Sequence, residues 1–259
     1  MLPTGGNIDK ELVKKRFQRS LPYYDRIAEI QRMIAKNLSD KFAEAYSVCH
    51  GNIFEIGCGT GFLTTEILKK QSFKNFFIND LVPEAMDIVS EKIRRLDSGI
   101  NVKCVNGDAE NIDIPEDIDS LLAASVVQWF DDFVEFSARV SKVLPNDGIF
   151  AFNTFGTNNL CQIKELTGMG LNYFEADELN EILKRNFRNV ELSEDIISQT
   201  FDAPFDVLRH LQRTGVTATG DFKWTKSRLE KFEREYSRNY SVNGKIELTW
   251  HVIYAICKK

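Results

Sequence analysis

Histidine is scarce in this sequence, three residues in 259, and its five cysteines form no CxxC pair. The usual ligand spacings of a zinc or other transition-metal centre are therefore missing, and no metal is expected. Cysteines 49, 58, 104, 161 and 257 are odd in number and scattered. Cys58 sits in a glycine turn and Cys104 and Cys257 in apolar runs, so they read as buried free thiols of a reducing compartment. Nowhere do about 18 apolar residues follow one another, so neither a membrane span nor membrane contact is expected. The start MLPTGGNIDKELVKKRF has no long apolar signal-peptide stretch, so the cytoplasm is the expected location. Repeats and low-complexity linkers are also lacking, and a single domain over residues 1–259 is expected. A formal net charge of -5 argues against wrapping a nucleic-acid backbone. Basic residues are nonetheless uneven: residues 1–41 hold nine Lys/Arg against five Asp/Glu, and 209–245 hold nine against four. Chance fluctuation and a face for an acidic partner both account for that.

What the sequence does contain is a strand–helix alternation. Residues 8–47 are helical in pattern, with Pro22 as the expected break. NIFEIGC is a strand candidate, followed by a glycine turn and the helix FLTTEILKKQ. NFFINDL is a second strand, and Pro83 is well placed to open the helix after it. NVKCVNGD and SLLAASVV are the third and fourth strands, FVEFSARVSKVL is helical, and GIFAFNTF is the fifth strand. Strands this apolar have no wet face, which points to a mostly parallel sheet covered by helices on both faces. After residue 155 the rhythm loosens. A helical insertion, the helix EADELNEILKRNF, a strand over 189–201, helical stretches near 204–213 and 225–240, and a closing strand IELTWHVIYAICKK are expected there.

The stretch IFEIGCGTG carries the first chemistry. Gly57 and Gly59 allow a positive φ or a close backbone approach to a ligand, and Gly61 lets the next helix start against the strand. A dinucleotide fingerprint extends to GxGxxG, whereas this turn is ExGxGxG, with Glu55 two positions before the first glycine. That carboxylate would repel a pyrophosphate and suit a cationic ligand. Asp80 ends the second strand, where it can accept both hydroxyls of a ribose, and Asp108 ends the third, where it can accept from an adenine amino group. Taken singly, each of these two is equally readable as a cap or turn residue.

This order of motifs, over roughly residues 50–155, resembles the class I S-adenosylmethionine methyltransferases. The resemblance implies a Rossmann-like, mostly parallel seven-stranded sheet, and S-adenosylmethionine held by Glu55, Gly57, Gly59, Gly61, Asp80, Asp108, Ala109 and Gln31. The adenosine would lie between Asp80 and Asp108, with the methyl facing the end of the fourth strand.

The methyl acceptor must be read elsewhere. No NPPY-like tetrad follows the fourth strand, which weakens a nucleic-acid amino group as acceptor. The strand ends AASVVQWF instead, where Gln128 and Trp129 could close over the reacting methyl, or Trp129 could be core. Phe17, Tyr24 and Gln31 at seven-residue spacing, Val127-Gln128-Trp129, Arg209 in VLRHLQRTGVTATG, Gly215, and Thr249, Trp250 and His251 in LTWHVIYAI together resemble the malonyl-acyl-carrier-protein O-methyltransferases of biotin synthesis. The departures are Gln212 where Lys is common and Trp250 where Tyr is common. The resemblance implies esterification of a malonyl carboxylate on an acidic acyl-carrier protein. Residues 1–47 would form a helical lid and about 156–240 the acceptor-side insertions. It also makes Tyr24, Arg209, Gln128 and His251 the candidate catalytic set. Arg209 is the expected clamp on the carboxylate, with a solvated helix residue as its rival reading, and Tyr24 is the expected lid residue. Read from its strand alone, His251 is more often a buried, hydrogen-bonded histidine than a base. Another small carboxylic acid, a quinone ring, or a non-catalytic nucleoside-binding role are the alternatives.

Overall fold

A computed structural model describes residues 8–45, 51–216 and 224–259. Cys49, the ends of the expected lid, and 217–220 of the Arg209 motif lie outside the described residues. Two helices come first, α1 (Lys10–Ile27) and α2 (Glu29–Ala45). Pro22 does not separate them: it lies inside α1 on an exposed face, where water can serve the carbonyl that its missing N–H leaves open. The bend falls at Ala28, which is fully buried and leaves helical geometry at ψ 54°.

Then come β1 (Asn52–Ile56), α3 (Phe62–Leu68), β2 (Asn75–Asp80), α4 (Pro83–Leu96), β3 (Asn101–Asn106), β4 (Ser120–Ala124), α5 (Phe133–Val143) and β5 (Ile149–Phe155). The looser half supplies α6 (Cys161–Thr167), α7 (Ala176–Lys184), β6 (Asn189–Phe201), α8 (Pro204–Arg213), α9 (Lys226–Asn239), β7 (Ser241–Val242) and β8 (Lys245–Lys258). The sheet runs β3-β2-β1-β4-β5-β8-β6, and the two-residue β7 pairs with β8 as an addition to the expected seven. Pairs from β3 to β5 are parallel, whereas β8 is antiparallel to both β5 and β6.

Side chains alternate across the sheet as the period of two demands. Ile53, Phe76, Ile78 and Leu122 face one core, shared with α2, α3 and α4, while Phe54, Phe77, Leu121 and Phe150 face the other, shared with α5 and α7. β1, β2, β4 and β5 are dry on both faces and so read as apolar runs, whereas β3 lies at the sheet edge and is largely exposed, so Cys104 on it is an exposed thiol and not the buried one expected. A third, small cluster joins Val13 and Phe17 of α1 to Trp129, Leu81 and Leu171, and so seats α1 over the carboxyl ends of the parallel strands.

The expected fourth strand is shorter than SLLAASVV. It stops at Ala124 because Ser125 takes a left-handed conformation (φ 57°), and a 3-10 turn follows over Val127–Trp129. Such a conformation costs a non-glycine residue about 1–2 kcal/mol. Buried Asn153 of β5 compensates, its Oδ1 accepting the Ser125 N–H at 2.9 Å. The Gln128 amide also donates to the Ser125 carbonyl at 2.7 Å. A polar residue inside the apolar run GIFAFNTF was the visible signal for this brace.

Candidate active site

Two cavities open at the carboxyl ends of the parallel strands. The first is lined by Gly57, Gly59, Thr60, Asp80, Asp108 and Ala109 among others. Gly57 has φ 59°, and a Cβ there would sit 2.3 Å from a Val126 methyl, so no other residue fits without a shift. Gly59, at φ 52°, would direct a Cβ into open space, so its backbone is bare toward the cavity.

Asp80 is held by the turn it serves. Its Oδ2 accepts the Gly59 N–H and its Oδ1 the Val82 N–H, each at 2.8 Å. These bonds occupy one lone pair on each oxygen and leave others for a ligand's hydroxyls. Burial raises the Asp80 pKa, and the two N–H bonds oppose that shift. Glu55 does not line the cavity; it is buried behind the turn and accepts from the Thr64 hydroxyl. Burial pushes its carboxyl up to about 8. Two neighbouring carboxyls that resist ionisation when buried are stabilised as anions by any cation brought beside them. Gly61, also absent from the walls, precedes α3 with φ 85°.

Asp108 lies at the far end of this cavity. Its Oδ1 accepts the Glu110 N–H at 3.1 Å and its Oδ2 the Asn111 amide at 3.0 Å. The turn reading of Asp108 thus holds, and the residue still faces the cavity. Lys10, which sequence reasoning passed over, reaches it from α1 at 3.3 Å, also meets Glu110, and lies 5.4 Å from the Phe130 ring centre. Glu110 in turn accepts the N–H groups of Asp131 and Asp132. No spacing rule in the sequence ties residue 10 to residue 108.

The second cavity shares Phe17, Tyr24, Ser125 and Trp129 with the first. Its other walls include Gln31, Gln128, Leu160, Lys164, Tyr173 and Trp250. Tyr24 stacks on Phe62 with ring centres 5.7 Å apart, and Phe17 meets Trp129 edge-on at 6.2 Å. Burial and the Asp80 charge raise the Tyr24 pKa, so its hydroxyl keeps its proton. Trp129 is buried and lines both cavities. Among the described residues its Nε1–H has no partner, and the Oε1 atoms of Gln31 and Gln128 and the Thr60 hydroxyl are likewise buried without one. Buried polar atoms left open on cavity walls point to a bound molecule that completes them.

Three expected residues fall elsewhere. Gln31, expected on the donor side, lines the second cavity and not the first. Arg209 lines neither; it projects from the exposed side of α8, donates to Asp206 at 3.0 Å, and lies 4.9 Å from the Phe205 ring centre. The cause is helical phase: Leu211, two residues on, faces the cavity instead. His251 also lines neither cavity. Its Nδ1 accepts the Asn158 N–H at 3.3 Å, so its Nε2 carries the hydrogen toward Glu194, 2.7 Å away. The ring packs over Gly156, where a Cβ would come within 2.3 Å of it. This histidine secures the root of the segment that follows β5, as the buried-strand alternative has it. Nearby, Thr249 and Gln162 exchange hydrogen bonds of 2.7 and 3.1 Å that fasten α6 to β8.

Known proteins match this arrangement. Residues 54–152 match the model of a methyltransferase domain family. Among solved structures, magnesium protoporphyrin IX methyltransferase from Synechocystis PCC 6803 with bound SAH has a TM-score of 0.60 at 10% identity, covering 97% of this chain and 100% of that one. Phosphoethanolamine N-methyltransferase 2 of Haemonchus contortus, in complex with S-adenosyl-L-methionine, has a TM-score of 0.52 at 14% identity, over 86% of this chain and 52% of that one. Both are likenesses of fold, that of the class I methyltransferases. Malonyl-[acyl-carrier protein] O-methyltransferase of Bacteroides helcogenes is 36% identical over 97% of this chain and 99% of its own length. The Porphyromonas gingivalis protein of the same name is 37% identical over 97% and 96%. The likeness therefore extends past the sheet to α1, α2 and the helices after β5, the parts that wall the second cavity, and the chain belongs to the malonyl-acyl-carrier-protein O-methyltransferase family.

Proposed function

We propose that this chain transfers a methyl group from S-adenosylmethionine to the free carboxylate of a malonyl thioester on an acyl-carrier protein, an early step toward the pimeloyl part of biotin. One observation carries the reading: the two cavities join at Phe17, Tyr24, Ser125 and Trp129, and the second has no Asp, Glu or His on its described walls. A phenol or an alcohol would need a base there; a carboxylate, already ionised near neutral pH, needs none. Bound S-adenosylmethionine supplies a methyl on a positively charged sulfur, whose passage to a carboxylate oxygen leaves a neutral ester and a neutral thioether with no proton to move.

The chain's own part is positioning. Asp80 would hold the ribose hydroxyls and Asp108 and Ala109 the adenine, while Gly57 and Gly59 admit the methionine end to the backbone. Glu55, poised between protonated and ionised forms, would balance the donor's positive charge from behind the turn. Gln128, braced on Ser125, and Trp129 would meet the acceptor side, with Tyr24 and Gln31 closing it from α1 and α2. Alignment of two reactants in a water-poor site is worth about 7–11 kcal/mol when geometry is right. The whole chain would act as one unit, with 1–47 as lid and 156–240 shaping the acceptor side. It would work in the cytoplasm, where free thiols such as Cys58 and Cys257 persist, and the basic segments would steer an acidic carrier. No helix among the described residues is long and apolar enough to cross a membrane. The test offers labelled donor with malonyl-carrier protein, malonyl-coenzyme A or free malonate. Methyl ester on the carrier-bound malonyl group is the expected product; labelling of none of the three overturns the reading.

A further inference from the structure

The expected clamp, Arg209, is off the site, which leaves an acceptor carboxylate without its cation. The walls of the second cavity contain one charged residue among those described, Lys164 of α6. Its neighbour in sequence, Glu165, is turned away to the Tyr240 hydroxyl. The Lys164 stem passes Gly170, where a Cβ would make ordinary contact at 3.6 Å with its Cγ and Cδ, and the residue as a whole is exposed, which puts it at the rim of the cavity. The side chain makes no ion pair among the described residues, unlike Lys10, which is taken by Asp108 and Glu110 at the other cavity. A cavity otherwise walled by aromatic, aliphatic and neutral polar groups, with one unpaired cation and no acid, complements a monoanion with an apolar neck.

We propose that Lys164 is the specificity-determining residue for the acceptor, its ammonium selecting an acyl chain that ends in a carboxylate over one that ends in a methyl. This rests on the acceptor being a malonyl thioester. Lys164 comes from the segment between β5 and β6, outside the residues 54–152 that match the general methyltransferase family. It therefore belongs to the part of the chain that individualises the acceptor. Neutralisation of the carboxylate on esterification removes the attraction, so the same contact favours substrate over product. Trp129 and Tyr24 line the same cavity as Lys164.

The experiment compares binding of malonyl-carrier protein and acetyl-carrier protein, in the presence of S-adenosylhomocysteine, to the wild type, Lys164→Met and Lys164→Arg. Methionine keeps the apolar stem beside Gly170 and removes only the charge. The wild type should prefer the malonyl form by about 10- to 100-fold, the range of a hydrogen bond to a charged group. Lys164→Met should lose that preference with acetyl-carrier affinity unchanged, and Lys164→Arg should keep most of it. If Lys164→Met retains the preference, the assignment is wrong while the malonyl reading stands. If it weakens both acyl forms equally, Lys164 meets the carrier or its prosthetic arm and the assignment is again wrong. A wild type with no preference for malonyl overturns the malonyl reading and this inference with it.

Discussion

The two cavities meet at four residues yet are built by opposite means. The first is floored by strand ends: the glycine turn after β1 and the carboxylates of Asp80 and Asp108, at the ends of β2 and β3, line it, with Glu55 buried behind the turn and α1 laid over the top. The second is made by whatever is laid over the sheet, namely α1, α2, α6, α8 and the turn after β4. Its walls come from sequence positions as far apart as 17 and 250. The strand-end floor of the first is written in one stretch of chain, residues 57–130, and only its α1 cover is not, whereas the walls of the second are scattered throughout. The first should therefore behave as a donor module and the second as an acceptor module, each open to damage without the other.

The largest effect is expected for Gly57→Ala. Left-handed backbone and the Val126 contact together predict a loss of about 2–4 kcal/mol in stability. Gly59→Ala, with open space around its Cβ, should lose only about 1–2 kcal/mol. Chemical denaturation of the pair measures the difference, and equal losses would show that the close approach of Val126 is not what demands glycine at 57. Asp80→Ala comes next. Donor affinity should fall by about 1–3 kcal/mol, as for a hydrogen bond to a charged group, while acceptor binding is spared. Calorimetry on folded variant decides it, and an unchanged donor dissociation constant removes the ribose role.

Trp129→Phe probes the join. It keeps the ring and deletes the unpartnered N–H, so methyl transfer should slow by about 10-fold with donor affinity nearly unchanged. An equal fall in donor affinity would put the N–H on the donor side and blur the division between the cavities.

Protonation gives a subtler test. In the ligand-free protein the Glu55 carboxyl titrates at about 8, above its ordinary value of 4.5, because burial disfavours its charge. A cationic donor favours the charged form, so binding near neutral pH should release most of one proton, and affinity should climb with pH and level off above about 8. Calorimetry in two buffers of different ionisation enthalpy reads the proton count. For stability the sign is the reverse of the usual carboxylate: the contribution is complete below the unfolded value of 4.5 and is lost as pH rises through about 8. Glu55→Gln should abolish the proton release. The smallest effect belongs to Arg209→Ala. An exposed pair with Asp206 on one helix is worth about 0.3–0.5 kcal/mol, and turnover on malonyl-carrier protein should stay within about twofold of normal. A collapse there would return Arg209 to the acceptor side.

Legibility followed the same division. The parallel strands and the carboxylates at their ends could be placed because apolar runs, glycines and terminal acids lie within a few residues of one another. Pro22 misled because a helix tolerates proline where the opened carbonyl faces water, and nothing local announces which face that is. Ser125 cut the fourth strand short through a brace from Asn153, 28 residues on. Gln31 and Arg209 could not be placed, since a residue type and a spacing do not reveal the phase of a helix, whereas His251 in an apolar strand reads as the buried, hydrogen-bonded residue it is.

By itself the sequence determined the donor half: strands buried on both faces, a turn that only glycines can make beside Val126, and acids set at strand ends by a period of two. Tertiary structure alone decided that Lys10 meets Asp108, that Trp129 stands between two cavities with its N–H open, and that Lys164 rather than Arg209 faces the second. The physical reason is range. Backbone sterics and hydrophobic alternation act over a few residues and leave a mark in the order of the chain, whereas the cation that faces a cavity is chosen by how separate helices pack, through contacts between residues a hundred or more positions apart.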